Sequence, residues 1–390
     1  MHPVIALALV MVAGIAATRL PRFPSIPAPF DVLTLAGTHL LLLGLLLGPF
    51  GEVLDDATLQ VLSPVTALGL GWVGARLGAR FEWRWVRRLP PRVWALAGTQ
   101  AVAAFVAVAL VSALLIKAIP ALRATWPSHR WTTVLALGAM AAASAPDLIT
   151  LLARRLGAAP RLIRTLRAAG VLDAAFGVLA FSLVLGGRRY GIAGGLPVGL
   201  VAGGIVGALF FALARLVLAA DDMTAPLMGA ILLGAGAGYA AGVSSVLVCA
   251  VAVASAGPFL ERRRQLARRL DSWERSVVAV LLLLTGALLR LPTMWVLALG
   301  VLVTAARIAA RWAGVRFGQR VWRGLAPPAP DAGLGGVAQG GVVVALAVGW
   351  QLSRPGPATA AALAAVVLGV TLSQLAAGPC MARAVRPREL

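Results

Sequence analysis

Long apolar runs alternate with short polar connections along almost the whole chain. A window of about 20 residues, the length of a helix that crosses a membrane, separates thirteen such runs. The runs cover 3–18, 32–50, 57–78, 93–117, 131–153, 166–186, 191–218, 222–240, 242–258, 276–291, 293–310, 334–353 and 358–380. The stretch "LLGAGAGYAAGVSS", within 222–258, is expected to contain a tight turn. The pattern predicts an all-α polytopic membrane protein with about thirteen transmembrane helices.

The composition supports this class and excludes several others. Hydrophobic residues make up 60% of the chain and charged residues 13%, which is too apolar for a soluble domain. The net charge of +21 comes from arginines in the connections between runs, a distribution that favours contact with anionic lipids over a nucleic-acid partner. Cys249 and Cys380 lie in separate runs without the spacing of metal ligands. We therefore expect neither a cofactor nor an enzymatic activity.

The basic residues also predict an orientation. One set of alternate connections, together with the C-terminus, holds 26 of the 35 Lys and Arg residues, and the opposite set holds 7. Because basic residues remain on the cytoplasmic side, the sequence predicts an external N-terminus and a cytoplasmic C-terminus.

Two acidic residues interrupt the apolar runs. Twelve of the fourteen Asp and Glu residues lie in connections or at the ends of runs, whereas Asp147 and Asp173 lie inside consecutive runs. Asp147 is seven residues before Arg154 and Asp173 six after Arg167, so both are expected about 10 Å below the same surface. Paired carboxylates at one depth indicate a site for a monovalent cation or a proton. The alternative is that Asp173 only forms a hydrogen bond to a neighbouring helix.

Helix-breaking residues mark two of the runs. Pro146 in "ASAPD" removes a backbone hydrogen bond inside one apolar run. Gln339, Gly340 and Gly341 in "GGVAQGGVVV" interrupt another. Interrupted helices at corresponding positions of two halves indicate a transporter site. The alternative is that each glycine allows close packing of helices.

A short internal similarity predicts how the runs are organised. "ALGLGWVGARLGARFEW" in the third run is similar to "AVLLLLTGALLRLPTMW" in the tenth, and an odd offset reverses the direction through the membrane. We expect two inverted six-helix repeats joined by a linker helix. The predicted divisions are 1–186 (first repeat, with an interrupted helix at 131–153 and an ion-site helix at 166–186), 187–221 (linker helix), 222–382 (second repeat, with an interrupted helix at 334–353) and 383–390 (short cytoplasmic tail).

Six stretches in order carry a family resemblance. They are "LLLGLLLGPFG", "SAPDLITLL", "VLDAAFGVLAFSLVL", "LLLLTGALLRL", "GVLVTAARIAARWAG" and "AQGGVVVALAVG". The chain resembles the cation:proton antiporter superfamily, the sodium/hydrogen exchangers, and is similar to the bacterial branch that includes the potassium-efflux antiporters. The resemblance implies crossed interrupted helices that move against a dimer-forming scaffold by alternating access. It implies exchange of sodium or potassium for protons by a homodimer in the inner membrane of a bacterium.

The resemblance also assigns roles to residues. Asp173 matches the essential aspartate that binds the sodium or potassium ion, and Ser144 and Pro146 match the interrupted helix beside it. Arg307 matches the basic residue near the site. Its alternative is an extended conformation towards the cytoplasm, because Arg311 follows one helical turn later.

One position departs from the family pattern. Relatives have Asp, Asn or Gln immediately before the essential aspartate, whereas this chain has Leu172. The departure removes an oxygen ligand or a titratable group, and we expect Asp147 to replace it. Two other functions stay open: a sodium-coupled symporter for an organic anion with the same fold, and a membrane sensor or scaffold that transports nothing.

Overall fold

The computed structural model describes most of the chain beyond residue 36. The described residues are 5, 8–12, 14, 16, 33, 37–81, 83–126, 130–191, 194–216, 223–260, 263–321 and 331–385. Half of the first predicted run, 3–18, lies outside them, as do 192–193 and 217–221 of the linker and 386–390 of the tail. The described part is all-helical and has no β-strand.

Sixteen α-helices follow one another in the part of the chain that the structure describes. They are α1 (Thr38–Leu45, continued by a π-helix at Leu46–Phe50), α2 (Asp56–Val61), α3 (Ser63–Arg80), α4 (Trp83–Arg87), α5 (Pro91–Ala118), α6 (Pro120–Thr125), α7 (Arg130–Ala142), α8 (Pro146–Arg155), α9 (Pro160–Tyr190), α10 (Gly195–Leu216), α11 (Thr224–Ala241), α12 (Ser245–Ala256), α13 (Arg263–Ala287), α14 (Trp295–Val321), α15 (Gly341–Ser353) and α16 (Pro357–Val385). Two short 3₁₀-helices lie at Gly257–Phe259 and Ala332–Gly336.

The helices follow the apolar runs from the second run onwards. Seven stretches within the described residues are long and apolar enough to cross a membrane, and α7 with α8 counts as one of them. The tight turn between α11 and α12 is present, with Gly242 in the left-handed region at φ +67°. These lengths and compositions are those of a multi-pass membrane protein.

Two ends differ from the sequence prediction. The helix expected over 293–310 continues to Val321 as α14, and the one expected over 276–291 begins at Arg263 as α13. Both extensions are rich in arginine, which lowers the hydropathy of a sequence window although the backbone stays helical. Arg307 and Arg311 of α14 are buried, so this helix holds charged groups inside the fold.

The helices form two packed groups. The first group, here called the scaffold, comprises α1, α3 and α10 to α13, with α12 packed against α3, α10 and α11, and α13 against α1 and α3. The second group, here called the core, comprises α5, α7 to α9 and α14 to α16, with α5 packed against α7 and α14. The long helix α9 contacts both groups.

Glycines bring scaffold helices close together. A Cβ on Gly74 would lie 2.3 Å from the carbonyl oxygen of Val246, and one on Gly78 would lie 2.1 Å from that of Ala250. Small residues four apart allow two backbones to approach, and van der Waals contact then stabilises the crossing within a membrane. The contact between α3 and α12 therefore depends on both glycines.

We expect Gly78→Ala to destabilise the protein because its methyl group would collide with the backbone of α12. The expected loss is about 1–3 kcal/mol of unfolding free energy, measured by thermal unfolding in detergent. Gly98→Ala is the matched control, since a Cβ on Gly98 meets no atom within 4 Å. Equal unfolding temperatures for the two variants would contradict the close crossing of α3 and α12.

Candidate functional site: a buried carboxylate where two interrupted helices cross

The interruptions predicted near Pro146 and Gly340 face each other. Pro146 is the first residue of α8, where its missing N–H costs no hydrogen bond. The chain between α7 and α8 is extended at Ala145, whose N–H donates to the carbonyl of Ala338 at 2.9 Å. Gly340 is also extended, and α15 begins at Gly341. The two unwound segments therefore cross and share a backbone hydrogen bond.

Asp173 lies beside this crossing on α9 and is fully buried. Its Oδ2 accepts from Gln100 Nε2 at 2.8 Å, and the Nη1 of Arg311 lies 3.0 Å away. Ser144 Oγ, in the first unwound segment, lies 2.8 Å from the same Oδ2 and 3.0 Å from the carbonyl oxygen of Gly336. Asp173 Oδ1 is equally buried and has no donor among the described residues. One oxygen is therefore saturated with donors, and the other is not.

Arg311 forms the ion pair with Asp173, and both side chains are fully buried. Its Nη2 also donates to the carbonyl of Ala142, the last residue of α7, at 2.5 Å. A buried carboxylate costs several kcal/mol unless an opposite charge and hydrogen bonds compensate it. The guanidinium of Arg311 supplies the charge, and Gln100 and Ser144 supply hydrogen bonds.

Arg307 lies one turn earlier on α14 and holds the two interruptions together. Its Nε donates to the carbonyl of Ala141 at 2.7 Å, and its Nη1 to that of Val337 at 2.6 Å. Its Nη2 donates to the carbonyl of Ala143 at 3.1 Å. An interrupted helix leaves carbonyls without partners at its C-terminal end, and a cation there is favourable. Arg307 is therefore buried against backbone oxygens and does not extend to a membrane surface.

Arg311 and Gln100 are site residues that the sequence reasoning missed. The sequence placed Arg307 as the charge partner, whereas the structure gives the ion pair with Asp173 to Arg311. Arg311 was assigned to a connection because the predicted run ended at 310. The four-residue spacing from Arg307 is the signal that could have found it, since residues at this spacing share one face of a helix.

Gln339 fixes the second interruption to its neighbours. Its Oε1 accepts from Ser373 at 3.1 Å and its backbone oxygen from Gln374 at 3.3 Å, both on α16. Its Nε2 lies 3.4 Å from the carbonyl oxygen of Met140 on α7. Gln339 therefore positions the crossing and makes no hydrogen bond to Asp173.

A cavity of about 260 Å³ reaches the crossing from one end of the bundle. It lies between the scaffold helices α3 and α13 and the core helices α8 and α15. Ser144 and Ala174, respectively the hydrogen-bond partner and the chain neighbour of Asp173, both line it. Towards its mouth lie Arg80 at the end of α3, Arg76 and Glu274. The cavity thus ends next to the buried carboxylate.

Asp147 belongs to the mouth of this cavity. Its side chain is 50% exposed, and its Oδ2 lies 2.5 Å from Arg80 and 3.1 Å from Arg76. Arg76 also pairs with Glu274 of α13. The partners of Asp147 all differ from those of Asp173, so the structure places the two acids in separate ion-pair clusters. This arrangement does not provide the shared cation site that the matched depths of the two acids predicted.

Leu172 brings no polar group to the site. Its side chain is buried in an apolar cluster of core residues. The cluster includes Leu96, Ala97, Ile149, Leu166, Ala168 and Ala169. Apolar packing therefore occupies the position at which the sequence resemblance leads us to expect a polar side chain.

The comparisons with known proteins agree with this architecture. No protein-family model matches the sequence, and no curated protein sequence does. Among solved structures, the chain is similar to the sodium proton antiporter MjNhaP1 from Methanocaldococcus jannaschii at pH 8, with a TM-score of 0.72 and 18% identity over 99% of both chains. An electron-microscopy structure of the same antiporter gives a TM-score of 0.65 and 16% identity over 98% of this chain and 96% of that chain.

Near-complete coverage at these TM-scores means that the two proteins share one fold. The likeness includes the whole described bundle, so it confirms the fold that the sequence resemblance implied. The chain is a multi-pass membrane protein with the fold of the sodium proton antiporter MjNhaP1.

Proposed function

We propose that this chain is a secondary active transporter, and not an enzyme, that exchanges sodium or potassium for protons. The observation that carries the proposal is the asymmetric Asp173, a fully buried carboxylate with three polar partners at Oδ2 and, among the described residues, no donor to Oδ1. It lies where two interrupted helices cross, the place at which transporters of this kind bind ions. The likeness to a sodium proton antiporter supports the same conclusion.

Exchange results because a proton and a monovalent cation compete for the carboxylate of Asp173. A proton and a monovalent cation both bind a carboxylate oxygen, and Oδ1 of Asp173 is the one left for them. A small cation prefers oxygen ligands, and the Oγ of Ser144 lies next to the carboxylate and 3.0 Å from the carbonyl oxygen of Gly336. Binding of one ligand excludes the other, so each displaces the other from the carboxylate.

Arg311 stabilises the carboxylate of Asp173 when it holds neither a proton nor a cation. A buried aspartate with neither proton nor cation would be costly, and the ion pair removes most of that cost. An incoming cation must weaken this ion pair, which lowers its affinity and favours its release on the far side. Arg311 is therefore proposed as an internal competitor of the transported ion.

We propose alternating access by movement of the core against the scaffold. The cavity lies along the boundary between the two groups, and the ion pairs of Asp147 with Arg76 and Arg80 cross it. Partly exposed ion pairs contribute about 0–1 kcal/mol each, so a movement that breaks them meets a small barrier. The closed side would then open by sliding at this boundary.

The membrane orientation and the repeat layout are part of the same proposal. The arginine bias favours an external N-terminus and a cytoplasmic C-terminus in the inner membrane of a bacterium. The proposed inverted repeats, 1–186 and 222–382, each contribute one interrupted helix to the crossing, joined by the linker at 187–221. A homodimer held through the scaffold and surrounded by membrane lipids completes the proposal.

The purified protein in liposomes tests this function. A pH-sensitive dye inside the vesicles reports proton movement when a gradient of sodium, potassium or lithium is imposed. We expect one or more cations to drive proton flux, and protein-free liposomes to show none. Sodium-dependent uptake of an organic anion without proton flux would instead support the symporter, and absence of all flux would support a sensor or scaffold.

Asp147→Asn tests whether Asp147, at the mouth of the cavity, takes part in ion binding. Because Asp147 pairs only at the partly exposed boundary, we expect this variant to retain exchange, with a half-saturation for the cation within about three-fold of wild type. Dye-reported flux against cation concentration measures it. A loss of transport as complete as that of an Asp173 variant would instead support a cation site shared by Asp147 and Asp173.

A further inference from the structure

Two buried oxygen atoms at the crossing have no hydrogen-bond donor among the described residues. One is Oδ1 of Asp173, and the other is Oε1 of Gln100 on α5. Gln100 is 2% exposed, and its Nε2 already donates to Asp173 at 2.8 Å. A buried carbonyl oxygen without a donor is destabilising, so its retention beside a carboxylate calls for a physical reason.

Because Gly336 has no side chain, it leaves space beside Gln100 Oε1. A Cβ at position 336 would lie 3.0 Å from Gln100 Oε1 and 2.5 Å from Arg311 Nη1, so any larger residue would crowd both groups. The carbonyl of Gly336 is itself within 3.0 Å of Ser144 Oγ. Gln100 Oε1, the carbonyl of Gly336, Ser144 Oγ and the guanidinium of Arg311 therefore lie close to one another around Gly336, beside Asp173.

The amide of Gln100 can present either its nitrogen or its oxygen to Asp173. Rotation about its last side-chain torsion exchanges Oε1 and Nε2, and this torsion has a broad, two-fold energy profile. With Nε2 towards Asp173, the amide donates to the carboxylate. With Oε1 towards it, two oxygens would repel each other unless a cation lay between them.

We propose that Gln100 is a cation ligand, and that its amide turns from donor to oxygen ligand when the ion binds Asp173. This proposal rests on the exchange function proposed above and adds the residue that completes its site. Leu172 removes an oxygen from the residue before the aspartate, and Gln100 supplies a neutral oxygen from another helix. A neutral ligand adds coordination without adding a second titratable group.

Gln100→Met tests the proposal, because methionine fills a similar volume without an oxygen. In liposomes in which the wild type exchanges, we expect the cation concentration at half-saturation to rise about ten-fold or more, and the preference among lithium, sodium and potassium to change. Gln351→Met is the matched control: Gln351 is a buried glutamine of α15 whose Oε1 also lacks a donor among the described residues. It lies ten residues beyond the interruption, and we expect wild-type values.

The outcomes separate this proposal from the function on which it rests. If the wild type drives no proton flux with any cation, the exchange function fails. If the wild type exchanges and Gln100→Met keeps its half-saturation and its ion preference, only the ligand role of Gln100 fails.

A structure of the wild type with thallium(I), a heavy monovalent cation, covers the case in which the variant does not fold. We expect its density between Gln100 Oε1 and Asp173, within coordination distance of both. Thallium bound at Asp173 but out of reach of Gln100 would overturn the proposal.

Discussion

Asp173→Asn is expected to abolish exchange, and to lower stability as well because the buried guanidinium of Arg311 loses its counter-charge. Asparagine keeps the shape of the side chain and one acceptor oxygen, so Ser144 and Arg311 retain a partner. It can neither release a proton nor neutralise a bound cation, because the amide carries no charge at any relevant pH. We expect proton flux indistinguishable from that of protein-free liposomes.

Asp56→Asn is the control for this substitution. Asp56 pairs with Arg290 at 2.8 Å and its side chain is 81% exposed, so the same chemical change there removes only an exposed ion pair. We expect wild-type flux from it. Exchange at the wild-type rate by a well-folded Asp173→Asn protein would exclude the carboxylate as the site of exchange.

Arg311→Met is expected to produce a large loss of stability. Removal of one partner from a buried ion pair leaves the other charge uncompensated, at a cost of about 3–5 kcal/mol. Asp173 is fully buried and would have to take up a proton to avoid that cost. We expect a large fall in the thermal unfolding temperature and little exchange, since a carboxylate that stays protonated cannot bind a cation.

A second substitution identifies the cause. In the double variant with Asp173→Asn, no uncompensated carboxylate remains, so we expect much of the lost stability to return. Arg316→Met is the matched control on the same helix, because Arg316 pairs with Asp331 while 42% exposed, and we expect a loss within about 1 kcal/mol. Equal losses for Arg311→Met and Arg316→Met would contradict a buried ion pair that dominates the site.

The sequence was sufficient for the helices and for the position of the acid. Apolar runs of membrane length identify helices because the lipid interior admits no unpaired backbone, and this constraint is local. Pro146 and the glycines around Gln339 mark the interruptions for the same local reason. Asp173 stands out because a carboxylate inside an apolar run is costly wherever its helix packs.

The partners of that acid depend on packing between distant parts of the chain, which no local pattern shows. Gln100 is 73 residues from Asp173 and Arg311 is 138. Arg311 also lowered the hydropathy of its own window, so the predicted run ended before it. The position of Asp147 was only half predicted by the sequence. Its spacing from Arg154 gave its depth along the helix, but no pattern gave its direction around the helix, which is towards Arg76 and Arg80.

The charges buried at the crossing bear on how the membrane potential acts on transport. Among the described residues, Asp173 is the only fully buried acid, and it faces two buried guanidiniums, Arg307 and Arg311. If one proton replaces one monovalent cation on Asp173, the moving core carries the same net charge on both legs of the cycle. A potential of 100 mV acts with about 2.3 kcal/mol on each transferred charge, but here its effects on the two legs cancel. Concentration gradients alone would then set the direction of net exchange, and a voltage imposed across the vesicle would leave its end point unchanged.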